Sequence, residues 1–350
     1  MGTMNRRALL ASVGAAMLAR SALAQDRSAA VRELALFQGA DRTARLTEAA
    51  KKEGELSVYH VYPNLTLLMN AFSKKTGIKC KAWRAGSEAV LQRVVTEARG
   101  GRFDVDIVQN NAPEMEATHL EKLLQEVRSP LQSELIAQAL PAHHEWVGIT
   151  VDIWTAAYNT SKVSKVELPR SYADLQDPRW KGRLAIEANN HAWFGTLLGE
   201  LGEEQGTRLF NQIVATNGIS ARKGHSLLTT LVASGDVPLA LTVYNWNPEQ
   251  LKAKSGAPIE GHWIAPVIAQ PSTIALARRA NNPASALLFY DYLIGEGQKL
   301  LLENSYLVTN KKLHAPPPGI AVKYIDPALA LAMNDKWQKL FDELIIKRAR

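Results

Sequence analysis

The chain has 350 residues, 46% of them hydrophobic and 21% charged, with a formal net charge of +7 at pH 7 and one cysteine. That balance is ordinary for a folded globular chain and excludes disorder and an intramolecular disulfide framework. Lys and Arg alternate with Asp and Glu throughout, so no basic stripe suited to nucleic acid is present.

The first residues set the compartment. Met4-Asn5-Arg6-Arg7 is a short basic start, Ala8 to Ala19 an apolar run, and Ala22-Leu23-Ala24 a small-x-small cleavage signature. This is the grammar of a secretory signal peptide (residues 1–24, cleaved after Ala24), with a run too short for a permanent span of about 20 residues. The expected location is therefore the periplasm. Cleavage removes Arg6, Arg7 and Arg20, takes the charge from +7 to +4, and leaves 326 of 350 residues, enough for two domains.

Residues 25–54 read as a polar, helical N-terminal extension. Glu55 to Tyr62 is a strand by its β-branched and aromatic content, and Leu65 to Thr76 has helical spacing closed by Gly77. Lys79 to Arg84 reads as a strand with Cys80 as a packing residue, and Ser87 to Arg99 as a helix capped by Ser87. Phe103 to Val108 is a strand and Pro113 to Leu124 a helix. Three successive strand–helix units mean a mostly parallel sheet covered by helices.

Glu145 to Tyr158 is too long for an ordinary strand and reads as two strands, or as one passing between lobes. Strands at 183–186 and 237–243 then alternate with helices at 193–201, 203–216, 226–233 and 247–254. Ser272 to Ala277 is a strand crossing back, followed by helices at 283–294, 296–303 and 327–347, with Ala315 to Gly319 a surface loop. The implied partition is 55–147 with 274–322 in one lobe, and 148–273 with 323–350 in the other.

Polar and aromatic residues gather where the predicted strands end: His60 and Tyr62, Ser87, Asn110, then Asn190, His191, Tyr244, Asn245 and Trp246. Ligands of open α/β sheets bind outside those ends, where helix N-termini also point. P-loop, GxGxxG, HExxH and GxSxG motifs are absent from the sequence, and so is any sign of a nucleotide enzyme, zincin or serine hydrolase. Asp104 and Asp106 read as a structural strand end rather than a metal pair, and His143-His144 as a solvated loop. Glu187 and His191 stand four apart without needing to share a face.

Several marks in order carry a family resemblance: Glu55-Leu-Ser-Val-Tyr59, Phe72-Ser-Lys-Lys-Thr-Gly-Ile78, Phe103-Asp-Val-Asp-Ile107, Ala157-Tyr158-Asn159, Asp177-Pro-Arg-Trp-Lys-Gly-Arg183, Ala233-Ser-Gly-Asp-Val237 and Gly295-Glu-Gly-Gln298. With them the chain, from about Glu55 to about Leu313, resembles the periplasmic solute-binding proteins of ferric-iron-type ABC importers. The resemblance implies the α/β, two-lobed type II periplasmic-binding-protein fold, each lobe a mixed, mostly parallel sheet flanked by helices, with the ligand in the interlobe cleft. It implies no cofactor and no catalysis, a monomer, and a membrane permease as partner.

The family's iron-binding tyrosine pair falls on Tyr244-Asn245, one phenolate short, and a tyrosine used by some members matches Tyr158. Its histidine and glutamate ligands fall near Pro63 and Asn110. The anion-binding loop matches Asn189 to Trp193, with His225-Ser226 a second polar contact. On these grounds the expected ligand is a small anionic organic solute, a carboxylate or a phosphorylated compound. It would be held by His60, Tyr62, Ser87, Asn110, Tyr158, Asn190, His191, Trp193, His225, Ser226, Tyr244, Asn245 and Trp246. The alternative is ferric ion or a ferric chelate on Tyr158 and Tyr244; a hydrolase, transferase or sensor subunit is more remote.

Overall fold

A computed structural model describes residues 28–349; the expected signal peptide lies outside them. Helix α1 (28–36) and α2 (Arg42–Glu53) lead into β1 (Glu55–His60), α3 (Leu65–Thr76), β2 (Lys79–Arg84), α4 (Ser87–Arg99), β3 (Ile107–Asn111) and α5 (Ala112–Leu120). β1 runs parallel to both β2 and β3, which gives the first lobe its parallel sheet. Gly77 ends α3 at φ 78°, its N–H on Ser73 O at 2.8 Å, in a backbone conformation that side-chain-bearing residues avoid.

A short β4 (Leu124–Gln125) precedes β5 (Val147–Asn159), one continuous and wholly buried strand of 13 residues. The second lobe follows as β6 (Leu184–Glu187), α6 (His191–Leu201), α7 (Glu203–Asn217), β7 (Ser220–Arg222), α8 (His225–Ser234), β8 (Leu239–Tyr244), α9 (Trp246–Ser255) and β9 (Ile259–His262). β10 (Val267–Ala277) returns to the first lobe, with α10 (Pro283–Ile294), α11 (Gly297–Glu303), β11 (Leu307–Val308) and β12 (Val322–Tyr324) after it. α12 (Pro327–Ala332) and α13 (Asn334–Leu344) close the chain.

The two lobes share one strand path, β2-β1-β3-β10-β5-β8-β6-β7. β5 and β10 pair antiparallel from Val147–Ile274 to Ile153–Ala269, and the far half of β5, Trp154 to Tyr158, pairs with β8 instead. The long β-rich run is thus the strand that passes between lobes. Register shifts interrupt the ladders between Ser272 and Thr273 and between Thr155 and Ala157.

Some expected boundaries move. Ser87 is the first helical residue of α4 and Gly86 the capping position, because the Ser87 hydroxyl accepts from Asn111 Nδ2 at 2.8 Å instead. The expected helix to Leu124 ends at Leu120, since Leu124 joins β4 beside β10. The C-terminal helix breaks at Met333 into α12 and α13. Asp106 is fully buried and accepts from the backbone N–H groups of Ser57, Asn281 and Asn282, while Asp104 only pairs with Arg102 at the surface. The D-x-D is a structural tie, as expected. Cys80 is partly buried beside Ser73 and borders the core.

α2 docks on α10 through Arg42, buried, whose Nε donates to Asp291 Oδ2 at 2.8 Å. The core runs through both lobes. Where α6 meets α13, the approach is so close that a Cβ on Gly195 would stand 1.9 Å from Trp337 Cδ2. Gly195→Ala gains about 1 kcal/mol of helix propensity. The overpacking penalty, typically about 1–3 kcal/mol and more against a rigid indole, outweighs it. The variant is expected to melt at a lower temperature, and an unchanged melting point would contradict this packing.

Candidate functional site

A carboxyl on the strand common to both lobes is the feature that the sequence reading passed over. Asp152 sits mid-way along β5, fully buried, where its neighbours are otherwise almost all apolar. Its Oδ1 accepts from Tyr62 OH at 2.5 Å and from Trp246 Nε1 at 2.9 Å. Tyr62 follows β1 in the first lobe and Trp246 opens α9 in the second, so one oxygen is shared between the lobes. Asp152 Oδ2 is buried and has no hydrogen-bond partner.

Rings wall the carboxyl. Tyr62 stacks on Tyr306 at 5.0 Å, Tyr306 meets Trp246 at 5.0 Å, and Trp246 stacks on Tyr244 at 5.9 Å. Trp154 and His225 cover the rest of the Tyr244 ring at 5.5 and 4.1 Å. Gln270 faces Asp152 directly across the β5–β10 ladder and donates to Tyr244 OH at 3.2 Å. The two phenols therefore reach the same patch of the hinge, Tyr62 from one lobe and Tyr244 from the other.

Of the eight buried side-chain polar atoms without a partner among the described residues, five belong here: Glu114 Oε2, Asp152 Oδ2, Asn190 Nδ2, His225 Nδ1 and Tyr306 OH. Asn190 is otherwise fixed by Trp154 Nε1, which donates to its Oδ1 at 3.1 Å. Such groups cost about 1–3 kcal/mol each when left unmade, so their concentration in one place marks a site rather than a core. Burial pushes the carboxyls of Asp152 and Glu114 each up to about 7. It also holds the Tyr62 and Tyr244 phenols well above their ordinary value, helped by the nearby Asp152 charge, and keeps His225 below its own. The negative charges of Glu114 and Glu187 bear on Tyr244 as well. Glu187 is spoken for by Gly224 N and Asn189 N.

Among the expected residues, Tyr62, Asn190, His225, Tyr244 and Trp246 are brought together. The others are not. His60 is buried beneath Tyr62, its Nδ1 on the Tyr62 carbonyl at 2.9 Å. Asn110 donates to Ser87 O at 3.0 Å, so these two tie β3 to α4. Asn245 is consumed by β5: its Oδ1 accepts from Ile153 N at 3.0 Å and its N–H donates back to Ile153 O. His191 turns to Asn334 at 2.9 Å, and Trp193 packs in the core of the second lobe against Tyr172 and Phe210. Ser226 is exposed on the first turn of α8.

Tyr158 does not join Tyr244. In the ladder Tyr244 faces Trp154, and Tyr158 lies four residues further along, opposite Leu239, a separation of ~13 Å at strand spacing. Its hydroxyl donates to Glu260 Oε2 at 2.7 Å. Asp152, Glu114, Trp154, Gln270 and Tyr306 take the places that sequence reasoning gave to those residues. A lone acid inside the run Val147-Gly-Ile-Thr-Val-Asp-Ile-Trp154 was the available signal for Asp152, because an isolated carboxylate is costly to bury in an apolar strand. For Tyr306 the sequence offers none.

Comparison with known proteins follows the geometry. A family described as bacterial extracellular solute-binding protein matches residues 114–326. The Fe(3+)-binding periplasmic protein of Serratia marcescens is 30% identical over 214 residues, 60% of this chain and 62% of that protein, so the match spans under two thirds of the relative's own length. Iron-bound HitA from Pseudomonas aeruginosa superposes with a TM-score of 0.71 at 21% identity, over 83% of this chain and 99% of that one. AfuA from Actinobacillus pleuropneumoniae, solved with exogenous fructose-6-phosphate bound, gives 0.70 at 19% identity over 84% and 99%. At these identities the structures establish the two-lobed fold alone.

Proposed function

The chain belongs to the bacterial extracellular solute-binding proteins, a family of binding proteins and not of enzymes, and from that premise we propose that it captures a hard cation, ferric ion, for an ABC importer. The observation that carries the reading is Asp152: a buried carboxyl, one oxygen unpartnered, bonded to the Tyr62 phenol, with the Tyr244 phenol close by and, next to Tyr244, the Glu114 carboxyl, whose Oε2 is buried, and the His225 imidazole. Anionic oxygens backed by an imidazole are the donors a hard, highly charged ion takes. The relative from Serratia marcescens is named for Fe(3+).

This reading reverses the sign of the expected solute. The cluster holds two carboxyls and no Lys or Arg, and the nearby Arg84 is turned onto the Val61 carbonyl at 3.1 Å. An anion would meet unscreened negative charge in a low-dielectric cleft. The fructose-6-phosphate bound to AfuA means that the fold itself does not forbid phosphorylated ligands; here the two carboxyls weigh against them.

Capture works by closure. Asp152 lies on the strand common to both lobes, and Tyr62 and Trp246 meet on it only when the lobes are together. A cation seated on Asp152 Oδ2 would satisfy that oxygen and hold that closed form, which a membrane permease then reads. The protein acts in the periplasm as a monomer, with no cofactor and no nucleic-acid partner.

Chelator-stripped protein titrated with ferric nitrilotriacetate should develop the colour of a phenolate–iron charge-transfer band, and Tyr244→Phe should bleach it. The ring wall gives one second reading: aromatic faces around a carboxylate also suit an organic ammonium. No colour, with a melting-point rise on adding tetramethylammonium or another alkylammonium, would replace iron by that class.

A further inference from the structure

We propose that Glu116, His119 and His143 form a second binding site, for a divalent transition-metal ion of the zinc type, separate from the interlobe cleft. Glu114 and Glu116 are two residues apart on α5, ~200° around the helix, so the helix that sends Glu114 to the cleft turns Glu116 the other way. Glu116 and His119, spaced i and i+3, share that outer face. His143 arrives from the turn before β5, where His144 N–H bonds Pro141 O at 3.1 Å and His144 itself sits at φ 53°, a conformation uncommon outside glycine.

One donor atom from each of the three residues lies within 4.8 Å of the others. His143 Nε2 and Glu116 Oε2 are 3.2 Å apart, close to the ~3.4 Å that separates two donors at ~2.1 Å from a tetrahedral zinc. The surroundings orient His119 as at metal centres. His119 Nδ1 bonds Glu145 Oε2 at 2.7 Å, and Glu145 is held by Arg278 at 2.9 Å, which leaves His119 Nε2 with a free lone pair. Trp146 Nε1 donates to Glu116 Oε2 at 3.0 Å. The cluster is partly exposed, and Glu116 and His143 border a groove of about 360 Å³ with Trp146, Pro271 and Tyr324. Three protein ligands and an open fourth side is the arrangement of a zinc site that keeps a water or exchanges its ion.

Two features decide which ions bind. The His119 and His143 rings stack in parallel at 3.8 Å and 11°, and no ion can lie in two parallel ring planes. His143 Nδ1 also accepts from Glu145 N–H at 3.0 Å, so its proton sits on Nε2, toward Glu116. Binding must turn His143 out of the stack and move that proton to Nδ1, at the cost of the Glu145 bond. Ions with strong affinity for imidazole can drive the change; magnesium and calcium, which take oxygen ligands, cannot.

The test is calorimetric titration of the chelator-stripped protein with zinc chloride, with cobalt(II) absorption and Trp146 fluorescence as local readouts. One zinc should bind at this site in an Asp152→Asn/Tyr244→Phe variant whose cleft is disabled. In His119→Ala/His143→Ala its affinity should fall about a hundredfold or more, with circular dichroism and the ferric titration unchanged. Glu145→Gln, which only orients His119, should weaken zinc by about 10- to 100-fold. Zinc bound equally well by the double histidine variant, or not at all by the parent, overturns the assignment.

Discussion

Asp152→Asn is expected to lower the affinity for ferric ion by about a hundredfold or more while leaving the unliganded fold at least as stable. The substitution keeps the shape, and the amide oxygen can still accept from Tyr62 OH and Trp246 Nε1, the two bonds that Asp152 Oδ1 makes. What disappears is the charge. In the unliganded protein that charge is a burden, because burial has already pushed the carboxyl up to about 7. With a cation bound it is the main attraction, and removing one partner of a buried pair costs about 3–5 kcal/mol. Ferric titration beside a thermal melt of the stripped protein separates the two effects. Undiminished affinity with Asn in place would remove Asp152 from the site, and with it the cation reading.

The second large effect is on pH, in opposite directions for the empty and the loaded protein. Asp152 and Glu114 rise from ordinary carboxylate values to about 7. A raised carboxyl pKa means that the folded state holds protons which the unfolded state has released. These groups therefore cost nothing below pH ~4, cost progressively more up to pH ~7, and reach a plateau of a few kcal/mol each above it. His60, His191 and His225, held low by burial, act the other way below pH ~6.5. The carboxyl contribution is thus read as a difference. Asp152→Asn/Glu114→Gln should melt above the parent at pH 8, and the gap should close toward pH 5. For the loaded protein the cation competes with those same protons, so the affinity for ferric ion should begin to weaken as pH falls below about 7. A gap that stays constant from pH 5 to pH 8 would deny the two carboxyls their buried, unpaired state.

Most of the fold is legible in the sequence because its signals are local. Leu65–Thr76, Lys79–Arg84, Ser87–Arg99 and Pro283–Ile294 occur within the predicted bounds, each set by periodicity and closed by Gly, Pro or a turn. The short strands β4, β7, β9, β11 and β12 are not legible, since two to four residues carry no period and exist only because a long neighbour offers them an edge.

The site divides the same way. Residues at strand ends are findable, and Tyr62, Tyr244 and Trp246, singled out from the sequence, do lie together. Whether a strand-end residue faces the cleft or ties two loops together depends on partners distant in sequence. Asn110 and Asn245 look like ligands by type, yet their amides are taken by Ser87 and Ile153. The sign of the ligand's charge is where the proposed function departs furthest from the expectation. It depends on Asp152, one residue read as part of a strand, and on Glu114, which falls in a helix by pattern.

The doubled crossing of β5 and β10 has a mechanical meaning. Two strands bonded side by side resist stretching and splaying, so the connection between the halves acts as a leaf spring rather than a string. Its compliance is concentrated where the register slips, at Ser272/Thr273 and Thr155/Ala157, because a bulged ladder bends more readily than a regular one. Asp152 stands between those two soft points, on the stiff part of the leaf, so it keeps its place whichever way the halves swing. Opening then melts no backbone pairing at that point. The halves also meet through side chains, Tyr62 and Trp246 on Asp152, Trp246 against Tyr306, and Gln250 with Asn64 at 3.1 Å and the Asn304 carbonyl at 2.7 Å. The rest position of the jaws can therefore be reset by single surface or cleft substitutions without loosening either half.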